Sequence, residues 1–213
     1  MMKKIAFTLT ELMVALGVVG ILCAVMLPII FNLMPDQNII MAKRVYYSIQ
    51  ETVADLINDD ACYPDRTMSD YDARVGFDDG NAYPNCAGWS SDDKTSANEK
   101  FQTLFHNRLD SNELDSDGGF TTKDKVYWKV VFDNSTFDGT KNDATYYATI
   151  IVDVNGTNSS PNCGQSTDAT ECTDGRTKGF DKFAVKVYAD GGLEIVDEWA
   201  KDAVGIDKDI TNE

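Results

Sequence analysis

From Leu12 to Leu33 the chain runs for 22 residues that are apolar apart from Asn32. As a helix this stretch is about 33 Å long, enough to cross a bilayer. Lys3 and Lys4 precede it. The excess of basic residues on the cytoplasmic side of membrane spans therefore predicts a cytoplasmic N-terminus, with everything after Met34 on the other side. A secretory signal has a shorter apolar core and a small-x-small cleavage site. Met26-Leu27-Pro28-Ile29-Ile30 offers no such site.

Glu11 does not suit a plain anchor. A carboxylate in an apolar span costs roughly 2.5–3.5 kcal/mol on insertion scales, and such a charge usually has a designated partner. The residues Ala6-Phe7-Thr8-Leu9-Thr10-Glu11-Leu12-Met13-Val14 resemble the processing site of type IV prepilins and type II secretion pseudopilins. In that family a peptidase on the cytoplasmic side cuts before a Phe and methylates the new amine, and an acidic residue stands fifth from that Phe. Counting from Phe7, the fifth residue is Glu11. Gly20 and Pro28 also fall where pilin helices commonly carry a Gly and a Pro. Two positions depart from the pattern: Ala6 stands where the family usually has Gly, and Thr10 replaces a large aliphatic residue.

The resemblance implies a leader (1–6), a transmembrane and polymerisation helix (7–34) and an extracytoplasmic head (35–213). It implies cleavage between Ala6 and Phe7, N-methylation of Phe7, and an assembly role for Glu11, paired with the Phe7 amine of a neighbouring subunit. The implied partners are a prepilin peptidase, an inner-membrane assembly platform, the membrane itself, and a homo- or hetero-oligomeric filament in the periplasm or at the cell surface. Pro35, close after Pro28, predicts a bent or broken exit from the membrane.

The net charge is −16, and residues 1–34 contribute +1 from Lys3, Lys4 and Glu11, so residues 35–213 carry −17. An acidic head repels phosphate backbones, which argues against nucleic-acid binding. Of five cysteines, Cys23 lies in the apolar run, and Cys62, Cys86, Cys163 and Cys172 lie in polar stretches. Four cysteines in an exported domain predict two disulfides. Three connectivities are open, and sequence proximity favours Cys62–Cys86 with Cys163–Cys172. Zinc is disfavoured, because there is no Cys-x-x-Cys and His106 is the only histidine.

Beyond the anchor, Asp36 is placed to cap a helix reaching about Asn58. Its apolar residues Ile39, Ile40, Val45, Tyr46, Ile49, Val53, Leu56 and Ile57 recur at three- and four-residue steps. Residues 60–95 read as an irregular loop. Ser96-Ala97-Asn98-Glu99 matches a capping box opening a short helix with Phe101, Leu104 and Phe105 inward. His106 reads as a residue on that helix's surface. Strand patterns follow at 126–132, 145–153, 183–188 and 193–196. With no helix between them they form an antiparallel sheet. The tail from about Lys201 shows no strong pattern. The expected fold is α+β: a long N-terminal hydrophobic helix packed on a four-stranded antiparallel sheet, pilin-like, with disulfide-closed loops.

One loop cluster is rich in oxygen ligands. Asp153, Asn155 and Asn158 end the second strand, and Asp181 opens the third, on either side of the Cys163–Cys172 loop. Such loops hold calcium, and the segment is loosely similar to loops that bind calcium in some pseudopilin heads. The same residues also read as an Asn-Gly turn with Asp181 bonding the loop backbone. The chain carries no nucleophile motif, phosphate loop or dinucleotide fingerprint. The reading is a structural filament subunit, not an enzyme. The alternative is a minor, tip-located adhesin or substrate-binding subunit.

Overall fold

The structure is a computed structural model and describes residues 9–33, 36–64, 76–77, 80–90, 96–132, 137 and 147–206. Ala6 and Phe7 lie outside these residues, as do Thr145 and Tyr146 of the second expected strand. The chain divides after Asp36 into two units.

The first unit contains helix α1, Leu9–Leu33, which runs through Pro28. Its window from Leu9 to Met26 is long and apolar enough to cross a membrane. Every side chain in that window is exposed. Helix α2, Gln37–Ile57, begins one residue after Asp36. Asp36 itself is not helical, and Met34 and Pro35, where a bend or break is expected, lie outside the described residues.

The second unit is built on a meander of five antiparallel strands in the order β1-β2-β3-β4-β5. They are β1 Gly119–Thr121, β2 Tyr127–Val131, β3 Tyr147–Asp153, β4 Lys182–Tyr188 and β5 Leu193–Ile195. The expected count of four is corrected to five. Strand β1 has only three residues, too few for an alternating pattern to stand out from the turns around it.

Pairing register aligns apolar side chains into cross-strand rows. Phe120, Trp128, Val152 and Phe183 form one row, and Val130, Ile150 and Val185 form the next. The rings of Phe120 and Trp128 stack at 6.2 Å. Helix α2 adds Ala42, Val45, Tyr46, Ile49, Val53 and Leu56 to the same core. The helix that joins the sheet's core is thus the amphipathic α2, whereas the described side chains of the apolar α1 are exposed. The buried stripe of α2 starts at Ala42. Ile39 and Ile40, expected to belong to it, are 42 % and 54 % exposed, because they lie before the first turn that reaches the core.

Helix α3, Ala97–Arg108, buries Phe101, Leu104 and Phe105. Ser96 holds the N-cap position with extended backbone, but its side chain makes no capping bond. His106 is on the helix surface, its Nε2 2.6 Å from the Asn112 carbonyl oxygen. Helix α4, Glu198–Val204, was not legible in the tail. At seven residues it is too short for periodicity to declare itself, and it ends on Gly205 in the left-handed conformation.

Candidate functional site

The head is closed by two disulfides, Cys62–Cys86 and Cys163–Cys172, with Cα–Cα distances of 4.6 and 5.1 Å. Cys23 is unpaired. The connectivity follows sequence proximity, since each bridge closes a local loop.

The connection from β3 to β4 carries the oxygen-rich cluster. Register places Asp153, the last residue of β3, directly opposite Lys182, the first of β4. After Asp153 the chain turns at Asn155-Gly156. Gly156 adopts φ +79°, and a Cβ there would stand 2.4 Å from the Lys125 carbonyl oxygen. Glycine is therefore required both for the conformation and for the close approach. The chain returns through the Cys163–Cys172 loop to Asp181. That carboxylate accepts the N–H of Asn162 on Oδ2 and of Cys163 on Oδ1, both at 2.9 Å. The bonding of Asp181 to the loop backbone is thus as expected. The Val154 N–H donates to the Asp181 carbonyl at 2.9 Å, which ties the two ends of the connection together.

The remaining oxygens of this cluster are not satisfied by the chain. Asp153 is fully buried. Neither of its carboxylate oxygens accepts a hydrogen bond, nor do the buried Oδ1 atoms of Asn155 and Asn162. The Lys182 ammonium stands 3.9 Å from Asp153 Oδ2, an attraction without a hydrogen bond. Burial pushes the Asp153 carboxyl up to about 6, and the neighbouring Asp181 charge adds to the rise. Lys182 opposes it, as do the nearby N–H groups of Asn155 and Gly156, which approach the carboxylate without hydrogen-bond geometry; the Gly156 N–H bonds to the Asp153 main-chain carbonyl at 3.4 Å. Burying hydrogen-bonding oxygens without partners is costly, and a buried carboxylate without donors costs most.

A second buried carboxylate shows the contrast. Asp197 accepts N–H bonds from Gln165, Ser166 and Ala184 at 2.8–3.0 Å and the Ser166 hydroxyl at 3.1 Å. Burial still raises its pKa, against the pull of these donors. Asp197 stands at the N-cap position of α4 but makes no capping bond there. It is a finished structural joint, whereas Asp153 is not.

Of the four residues expected to converge, the structure brings Asp153, Asn155 and Asp181 together. Asn158 is exposed on the turn and makes no hydrogen bond to either aspartate. Asn162, whose N–H bonds to Asp181, carries a further buried side-chain oxygen without a hydrogen-bond partner. Its backbone is left-handed, φ +57°, a conformation that Asn tolerates better than most residues.

Among the described residues no three His, Cys, Asp or Glu side chains gather as metal ligands. The oxygens here come from two aspartates and two asparagines. Carboxylate and amide oxygens are the donors that hard cations take, and calcium accepts mixed, irregular sets of them. The orphaned oxygens of Asp153, Asn155 and Asn162 are of that chemical kind. Compared with known proteins, the chain matches no family model, no curated protein and no solved structure.

Proposed function

We propose that this chain is a membrane-anchored structural subunit of a filament of the type IV pilus or type II secretion pseudopilus class, clipped after Ala6 and assembled through α1. The observation that carries this reading is helix α1. Its side chains from Leu9 to Met26 are exposed throughout and include one charged residue, Glu11. Exposed apolar surface on this scale needs lipid or like helices around it. A bilayer alone gives no reason for Glu11, whereas a filament core does. There the carboxylate pairs with the Phe7 amine of the next subunit and sets axial register. Gly17 and Gly20 have open space where a Cβ would stand, which suits close helix approach.

On this reading the N-terminus is cytoplasmic, residues 1–6 are a leader, and the head lies outside the inner membrane, where two disulfides persist. The subunit works by polymerising and performs no catalysis. Calcium at Asp153, Asn155, Asn162 and Asp181 completes the β3–β4 connection by neutralising oxygens that the chain leaves unsatisfied. Intact-mass analysis of membrane-extracted protein tests the processing. The expected chain begins at a methylated Phe7, and one that still begins at Met1 or Met2 in cells with an active prepilin peptidase overturns the reading.

A further inference from the structure

Lys182 is the cation that acts on the buried Asp153 carboxylate. Its side chain is 16 % exposed and that of Asp153 is 0 % exposed. Strand register holds their Cα atoms opposite each other, so Lys182 cannot leave the neighbourhood. Its four-carbon stem can swing, however, and its head is a compact point charge. At 3.9 Å the ammonium attracts Asp153 without hydrogen-bonding to it. A divalent cation on the same carboxylate would stand close to the ammonium, and two like charges at such short range repel.

We propose that Lys182 is a tethered counter-ion of the Asp153–Asn155–Asn162–Asp181 cluster, displaced toward solvent when a hard divalent cation binds, so that it sets the cation affinity of the head. The inference rests on the calcium reading of that cluster. Lysine and calcium compete for one carboxylate, and their coupling is therefore negative and reciprocal. Without calcium, Lys182 limits the penalty of the buried Asp153 charge. With calcium, the same ammonium is a like charge beside the metal.

The test uses the full chain in detergent micelles, titrated calorimetrically with calcium and melted in EDTA and in millimolar calcium. Lys182→Gln keeps most of the stem and removes the charge. It is expected to bind calcium about tenfold more tightly than the wild type, within the usual range of coupling between two ligands. It should melt lower in EDTA and recover fully in calcium. Folding of Lys182→Gln only when calcium is present, or calcium binding by Lys182→Gln alone, is the same result carried further. Lys182→Arg places a forked, hydrogen-bonding cation on the carboxylate and should bind calcium more weakly than the wild type. That arm decides the matter if the Gln variant fails to fold in either condition. Equal calcium affinity across wild type and variants overturns the role of Lys182 and leaves the calcium site standing. No calcium binding by any of them overturns the site and the inference together.

Discussion

Asp197 holds Ser166 with both carboxylate oxygens: Oδ1 accepts its N–H at 2.8 Å and Oδ2 its hydroxyl at 3.1 Å. Together with the bonds from Gln165 and Ala184, this ties the Cys163–Cys172 loop to β4 and to the start of α4. Asp197→Ala leaves three backbone N–H groups without acceptors. The expected loss is about 3–5 kcal/mol of stability. Asp197→Asn turns a donor toward the Ala184 N–H if its Oδ1 bonds are kept, so it should fall well short of the wild type. Denaturant melts of the wild type and both variants read this directly.

Asp153 makes stability depend on pH in the absence of calcium. Its carboxyl is raised to about 6 in the folded head from an ordinary value of 3.8. The groups facing it are Asp181, Lys182 and Tyr127. Because the folded pKa is the higher one, the folded state holds more protons than the unfolded between about pH 4 and 6. Stability from this group therefore falls as pH rises through 6, by on the order of 3 kcal/mol in all. In EDTA, Asp153→Asn should melt higher than the wild type at pH 7.5 and nearly with it at pH 4.5. Millimolar calcium should raise the wild-type melting temperature at pH 7.5 by mass action and leave Asp153→Asn far less affected. A wild-type melt that millimolar calcium does not move would leave the turn and its loop bonds as the whole account of this cluster.

Lys100 anchors the Cys62–Cys86 region from inside the core. It is fully buried. Its ammonium donates to the carbonyls of Cys62 at 2.6 Å and Asn81 at 2.8 Å and sits 4.4 Å from the Tyr63 ring centroid. Lys100→Met removes these donations and the cation–π contacts with Tyr63 and Tyr83 while keeping an unbranched stem. We expect a loss of about 2–4 kcal/mol. Amide exchange should rise at the ends of the disulfide loop before it rises in the sheet. A uniform change in exchange would show that Lys100 stabilises the head without holding that loop.

Glu11 separates a polymerisation helix from a simple anchor. In an anchor, Glu11→Leu removes an insertion cost of about 3 kcal/mol and does no harm. In a filament it removes the charge that selects the Phe7 amine of the next subunit. Cleavage and membrane insertion should persist, because the cut lies four residues upstream and the apolar run is intact. Sheared filament mass relative to the membrane pool should fall at least tenfold for Glu11→Leu and less for Glu11→Asp. A normal filament yield from Glu11→Leu would remove Glu11 from the assembly mechanism.

Local periodicity determined much of this protein. The apolar run, the stripe of α2 and the alternation of β2, β3 and β4 are all set by residues within a few positions of one another, and each element forms where its pattern lies. The disulfide pairs were legible for the same reason, because each closes a short loop. What local pattern does not contain is which polar group meets which across the fold. Nothing in the local pattern of α3 marks Lys100 for burial. It is buried because the Cys62 carbonyl, 38 positions away, and two tyrosine rings surround its ammonium. Asp197 stands beside a helix start, yet its partners lie 13 to 32 positions distant, with Gln165 32 away, Ser166 31 away and Ala184 13 away. The Asn162 side-chain oxygen is buried, whereas Asn158 is exposed, and the left-handed backbone of Asn162 is held to Asp181 through its N–H. Burial of a polar side chain depends on donors and acceptors supplied by distant segments, and only the tertiary structure decides which of them arrive.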